Sequence, residues 1–311
     1  MIDRICIVGG SSVYLPEFLM SVISHNVKVR EIILFGRPGK KLDLVSGFCR
    51  RLMRRSGYPT EVHPSTDLEE AARGAKYVLN NVRVGGMPAR VRDEKLPPKY
   101  GMLGHEALGA GGFANAMRTL PVVLEQARTI EAVNPDALVI NLTNPMGLVV
   151  EALTHHTNLQ TIGVTDLPEI YLRKMAGVLS EDAANLTLDY IGLNHLGWIQ
   201  DIQSGGRSRM AHLLEQLEKR PLDNLDYEII ELFRMVPTRQ RATYFRQADI
   251  LKQQRASARF RAEILHEAER QILRLYEDEH LHDIPELTRE RNAQWYDQSV
   301  VPLILALESP Q

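Results

Sequence analysis

Arg4-Ile5-Cys6-Ile7-Val8-Gly9-Gly10-Ser11-Ser12 joins a short apolar, β-branched run to a glycine-rich turn, and Pro16 to Ser24 beyond it reads as a helix. Strand, glycine-rich turn, helix is an arrangement that sets backbone N–H groups and a helix N-terminus against a pyrophosphate. Many α/β proteins carry such a turn without a nucleotide, so the turn alone leaves both readings open. Its third position is Ser11 where close backbone approach favours Gly, although a hydroxyl there can still donate to a phosphate.

The pattern repeats outward from this turn. Glu31 to Phe35 is a second strand, ending at Gly36-Arg37-Pro38-Gly39, and Lys40 to Arg55 carries apolar residues at helical spacing. Tyr77 to Asn80, Ala137 to Ile140 and Thr161 to Val164 read as further strands, with a helical stretch from Ala114 to Val133. Alternating strands and helices predict an α/β fold: an N-terminal Rossmann-like, doubly wound parallel sheet with right-handed crossovers. Ligands in such a sheet bind beyond the carboxyl ends of the strands, where the Gly, Asn and Asp clusters of this chain fall. After about residue 200 the strand signal fades, and Ser257 to Tyr276 is helical by its spacing of Phe260, Ile264, Leu265, Ala268, Ile272 and Leu275. The expected division is a dinucleotide-binding domain over 1–193 and a smaller, mainly helical substrate and oligomerisation domain over 194–311.

Bulk composition narrows the partners. The 311 residues are 44% hydrophobic and 24% charged, with 37 Lys+Arg against 39 Asp+Glu, so no overall field recruits nucleic acid or an anionic membrane. No apolar run reaches the roughly 18 to 20 residues of a membrane helix. The opening residues lack the plan of a signal peptide, and two cysteines, Cys6 and Cys49, suit a reducing compartment; a cytoplasmic protein with a small-molecule partner is expected. Arg50, Arg51, Arg54 and Arg55 flank Leu52 and Met53 on an amphipathic helix and read as a solvated face.

Longer strings carry a resemblance. Arg83-Val84-Gly85-Gly86-Met87-Pro88-Ala89-Arg90 with Asp93-Glu94, then Tyr100-Gly101, Gly104-His105-Glu106 and Gly109 to Phe113, resembles the stretch after the third strand of the family 4 glycosidases. Asn141-Leu142-Thr143-Asn144-Pro145 and Gly192-Leu193-Asn194-His195-Leu196 resemble two more of its signatures, and the whole looks nearest to the 6-phospho-β-glucosidase branch. The resemblance implies an oxidation and elimination in place of the two carboxylates of ordinary glycosidases. NAD oxidises the sugar at C3, manganese or another divalent metal acidifies the C2 proton, a Tyr removes it, and the glycosidic bond leaves before water adds and the hydride returns.

Residue by residue, it implies Gly9, Gly10, Ser11 and Ser12 at the cofactor phosphates and Arg90, Glu106, Asn144 and Asn194 at a sugar or sugar phosphate. His195 would be a metal ligand. From the residues alone, His195 also reads as a hydrogen-bonded histidine at a strand end, Arg90 with Glu106 as a surface ion pair, and Asn141 with Asn144 as a turn before Pro145.

Several positions depart from the family pattern. Thr165-Asp166-Leu167-Pro168 stands where the family has a Cys ligand, and a neutral hydroxyl lacks the charge and softness of a thiolate, so a Thr165/His195 metal site would be weak. Asp166 can act as a general acid at the leaving group. Gln240 occupies the position of the base and cannot take a proton; Tyr244, a turn later, is the remaining phenol and also reads as a core or sheet-edge aromatic. Where the second strand of an NAD site ends in Asp or Glu, this chain has Gly36 and then Arg37, which admits NADP beside NAD. Arg291-Asn292-Ala293-Gln294-Trp295-Tyr296 replaces an Arg-Gly-Gly string, and the family's long segment beyond it has no counterpart before Gln311, so a homo-oligomer is expected to cover the apolar surface. Three readings stand: a family 4-type glycosidase with altered metal and base positions, an impaired NAD(P)- or sugar-binding regulator, and a simple sugar dehydrogenase.

Overall fold

The computed structural model describes residues 1–220, 225–291 and 293–309, and its contacts form two units, 1–164 with 256 onward, and 165–255. In chain order the first unit opens with β1 (Ile2–Val8), α1 (Leu15–Ser24), β2 (Val29–Phe35), α2 (Lys40–Ser56), β3 (Glu61–Ser65), α3 (Leu68–Ala72), β4 (Tyr77–Asn80), α4 (Gly86–Lys95), α5 (Gly109–Val133), β5 (Leu138–Asn141), α6 (Met146–His156) and β6 (Gln160–Gly163). The second unit carries α7 (Leu167–Leu179), β7 (Leu186–Leu193), β8 (Leu196–Ser204), β9 (Arg207–Ser208), α8 (Met210–Lys219), α9 (Tyr227–Phe233), β10 (Val236–Pro237), α10 (Arg239–Phe245) and α11 (Gln247–Ala256). The chain then returns to the first unit with α12 (Arg261–Tyr276) and α13 (Val301–Glu308).

The six strands of the first unit are parallel in the order β3-β2-β1-β4-β5-β6, the order of a dinucleotide-binding sheet with its switch point between β1 and β4. Successive residues of β1 alternate across it. Ile5 and Ile7 enter one core with Phe18, Phe48, Tyr276 and Ile304, while Cys6 and Val8 enter another with Val78, Ala127, Val139 and Leu153. A sheet buried on both faces needs near-continuous apolar strands, which is why RICIV and EIILF are so legible.

The single boundary at 193/194 read from the sequence differs from this grouping. Tyr276 stacks on Phe48 with ring centroids 4.2 Å apart and donates to the Val13 carbonyl, so α12 is core to the N-terminal sheet. The second unit is also more than helical. β7 and β8 form an antiparallel hairpin, with β10 and β9 pairing β8, around a core that includes Met175, Ile199, Ile202, Leu213 and Val236. In the arginine group of α2, Arg51 is no free cation: its guanidinium donates to the carbonyls of Tyr276, Asp278 and Leu281 at the end of α12, while Arg50, Arg54 and Arg55 stay exposed. Both cysteines are buried free thiols, each pushed up to about 12 by desolvation.

Candidate dinucleotide and anion site

In the first unit, a pocket opens at the carboxyl ends of β1, β4 and β5, lined by Gly9, Ser11, Ser12, Arg37, Arg83, Asn115, Asn144 and Arg291 among others. One wall is the glycine turn. The Gly9 and Gly10 N–H groups both donate to the Phe35 carbonyl, which folds the turn across the end of β2. A Cβ on Gly9, where φ is +106°, would sit 2.4 Å from the Asn81 carbonyl oxygen, and one on Gly10 would sit 2.5 Å from the Leu34 backbone. These two glycines are therefore needed for packing against β2 and the end of β4. Ser11 tolerates its side chain because it faces the pocket, and its N–H finds no acceptor among the described residues. The Ser12 hydroxyl accepts from Tyr14 N at the start of α1. A free N–H beside a helix N-terminus fits a dinucleotide phosphate.

The opposite wall is ordered by amides. Asn80 donates to Asn141 Oδ1 at 2.9 Å inside the sheet, Asn141 donates to the Thr143 carbonyl, and Thr143 Oγ1 accepts from Val82 N. Asn115 on α5 then ties two segments together by donating to the carbonyls of Glu106 and Asn144, both at 3.0 Å. Sequence reading placed Asn144 and Glu106 here but missed Asn115, which reads as an ordinary polar residue of a long helix.

Charge accumulates beside the amides. The buried face of α4 presents Arg90, Asp93 and Glu94, charged residues where a core-facing helix is normally apolar. Arg90 Nε donates to Glu94 Oε1 at 2.8 Å, and its other end pairs with Glu106 at 3.2 Å. Glu94 Oε2 accepts from Ala262 N in the first turn of α12, and Arg83 pairs with Glu106 at 2.7 Å. Asp93 is held by Arg118. Burial opposes ionisation of Glu106, but Arg83 and Arg90, with Arg291, outweigh it and hold its carboxyl well below the usual carboxylate range. Arg90 and Glu106 thus form a largely buried ion pair, in place of the surface pair that the residues alone suggest.

Arg291 was not singled out as a site residue, although it closes this cluster. Its guanidinium lies over Tyr14 and Trp295, 5.1 and 4.9 Å from the ring centroids, and Asn292 beside it lies outside the described residues. Among the described residues no carboxylate stands within ion-pair distance of it. Burial, and next the repulsion of Arg83, push it down to about 10. Three arginines, Arg83, Arg90 and Arg291, thus gather around Glu94 and Glu106, with Glu17 of α1 also acting electrostatically on Arg291, and Arg291 is the member of the three without an ion-pair carboxylate among the described residues.

The remaining expected site residues belong to the second unit. Thr165 Oγ1 accepts from Leu167 N, and Asp166 takes the N-cap position of α7. Asn194 and His195 form the two-residue turn between β7 and β8; His195 has φ +65° and its carbonyl accepts from Thr238 Oγ1, while Asn194 Oδ1 is buried without a hydrogen-bond partner. Gln240 Oε1 is likewise buried and unpartnered near the start of α10. Tyr244 is 66% exposed, edge-on to Phe245, so it is neither core nor strand. For a metal the residues do not fit: among the described residues no three His, Cys, Asp or Glu side chains converge, and Thr165 offers a neutral hydroxyl already engaged.

A 3-2-1-4-5-6 parallel sheet with a glycine turn and a polar pocket at its switch point defines a dinucleotide-fold protein. The sequence profile of family 4 glycosyl hydrolases matches residues 4–181, and that of the family's C-terminal domain matches 190–310. The chain is 32% identical to a 6-phospho-beta-glucosidase of Escherichia coli K12 over 98% of its own length and 72% of that protein. It is 29% identical to a probable 6-phospho-beta-glucosidase of Bacillus subtilis, over 98% and 73%. A 6-phospho-beta glucosidase structure from Thermotoga maritima, described with manganese, NAD+ and glucose-6-phosphate, superposes with a TM-score of 0.88 at 28% identity, covering 99% of this chain and 74% of that one. The chain belongs to glycosyl hydrolase family 4, and its relatives include 6-phospho-β-glucosidases. No described helix is long and apolar enough to cross a membrane.

Proposed function

We propose that this protein binds a nicotinamide dinucleotide and a 6-phosphorylated glycoside, and cleaves the glycoside by redox-assisted elimination at a rate limited by its altered metal and base positions. The observation that carries the reading is the cluster of Arg83, Arg90 and Arg291 beside the glycine turn, since an anionic sugar would pair with Arg291, a half-buried cation with no ion-pair carboxylate of its own among the described residues. Glu106, kept ionised by its arginines, accepts from sugar hydroxyls, and Asn144 and Asn194 hold others. A bound dinucleotide supplies a reversible hydride acceptor for a ring carbon.

The chain's own groups then set the rate. Asp166 donates a proton to the leaving oxygen. Gln240 cannot serve as base, so the remaining acceptor is Tyr244, exposed on α10 and acting through its phenolate oxygen. No step is assigned to a metal, because Thr165 with His195 is a weak donor pair. A reaction on phosphorylated sugar places the protein in the cytoplasm. Self-association belongs to the same reading, supported by Phe113 and Met117, a turn apart on α5 and 66% and 62% exposed. Light scattering should give a dimer or larger; a monodisperse monomer contradicts that part.

The test is to titrate the protein with dinucleotide and then with aryl 6-phospho-glycosides, recording binding and aryl release. The reading expects saturable binding of both and slow release. Binding without any release favours the regulatory or dehydrogenase readings, and failure to bind a phosphorylated sugar removes the proposal.

A further inference from the structure

We infer that the adenosine end of this site selects the 2′-phosphorylated dinucleotide, through Arg37. The inference rests on the dinucleotide reading above and sharpens it to one coenzyme. A dinucleotide that carries a free ribose diol is recognised by an acidic side chain at the end of the second strand, which accepts from the 2′-hydroxyl. Here β2 ends at Phe35 and the next residue is Gly36, which has no side chain to offer.

The backbone does not require glycine at that position. Gly36 is absent from the residues of positive φ, and a Cβ built on it would lie 3.6 Å from Ser11 N and 3.1 Å from Leu42 Cδ1, the end of a flexible side chain. An acid would therefore fit beside the phosphate turn, and none is present.

A cation follows instead. Arg37 is exposed, lines the same pocket as Gly9, Ser11 and Ser12, and makes no hydrogen bond or ion pair among the described residues. Pro38 after it biases its backbone away from the helical region. Lys40 and Lys41 then occupy the first turn of α2, where cations oppose the helix dipole. Each lysine is neutralised from the C-terminal part of the chain, Lys40 by Glu277 and Lys41 by Glu269 on α12. Of Arg37, Lys40 and Lys41 after the second strand, Arg37 is left as the unengaged cation, with a planar fork suited to a phosphate. Among the described residues Glu269 is the one carboxylate lining this pocket, and its pairing with Lys41 holds it away from the role of diol acceptor.

Equilibrium binding of NADP+ and NAD+ to the full chain, by calorimetry at two salt concentrations, tests this. The expected result is at least about tenfold tighter binding of NADP+, with the steeper salt dependence of an added phosphate contact. Arg37→Gln should abolish the preference while changing NAD+ affinity by less than about twofold, and Gly36→Asp should reverse the preference. Equal or tighter binding of NAD+ by the unmodified protein overturns the inference and leaves the proposed function standing. Equal loss of both coenzymes in Arg37→Gln also overturns it, because Arg37 would then act on a shared part of the molecule. Binding of neither coenzyme overturns this inference and the dinucleotide reading together.

Discussion

The two units keep their family's residues in different ways. In the first, Glu106, Arg90 and Asn144 are embedded in bonds that also hold the fold: Glu94 bridges Arg90 to α12, and Asn115 bridges Glu106 to Asn144. In the second, Thr165 Oγ1 accepts from Leu167 N two residues on, Gln240 Oε1 is buried without a hydrogen-bond partner, and Tyr244 sits on the surface. A ligand-binding residue that is also structural is hard to lose without losing the protein. A residue used only for turnover can drift at little cost to stability. On the proposed function, the contrast separates binding, assigned to the first unit, from chemistry, assigned to the second.

The strongest way to break this comparison is Glu94→Ala. Removing a buried carboxylate that holds both Arg90 and Ala262 N should cost about 3 kcal/mol in urea unfolding; a loss below about 0.5 kcal/mol would mean the first unit's network is not structural. Gly10→Ala should cost about 2 kcal/mol, because its Cβ meets the backbone of Leu34 and a strand cannot step aside. By contrast, Tyr244→Phe should leave the melting temperature unchanged.

Glu106→Gln sharpens the account through pH. The folded pKa of Glu106 lies below its unfolded value, so its contribution is complete above the ordinary 4.5 and is lost as pH falls through the folded value. The variant should be less stable by about 1.5 kcal/mol near neutrality, and the gap should close as the pH drops below that window. A constant gap across the acid limb would contradict the pairing with Arg83 and Arg90. A smaller effect on stability falls at Arg291. Burial disfavours the charge of Arg291 while Glu106 and the rings of Tyr14 and Trp295 favour it, so Arg291→Met should change stability by less than about 1 kcal/mol without ligand and remove the stabilisation expected from glucose-6-phosphate.

Much of the first unit was legible because its strands are buried on both faces and so read as apolar runs. β3 was missed: EVHPS is an edge strand, polar and with Pro64, and edge positions are free of that requirement. The β7–β8 hairpin was missed although Leu186, Leu188 and Tyr190 alternate with Thr187 and Asp189, a period-two signal that could have found it. That α12 belongs with the first sheet rests on Tyr276 meeting Phe48, a contact between residues more than 200 positions apart with no local signature. The same holds for the site. The glycine turn and the Asn141–Asn144 loop are local strings, whereas Arg291 joins Arg83 and Arg90 only in three dimensions. Glu94 did leave a trace, as one of three charges at helical spacing on a face that should have been apolar.

The most direct measurement is aryl release from a 6-phospho-β-glucoside by the unmodified protein and by the double variant Thr165→Cys, Gln240→Tyr, each saturated with dinucleotide and manganese. The account predicts that both bind the substrate saturably and with similar affinity, and that the double variant releases the aryl group on the order of 100-fold faster. Equal rates in the two proteins, or no saturable binding by the unmodified one, would contradict the separation of retained binding from altered chemistry.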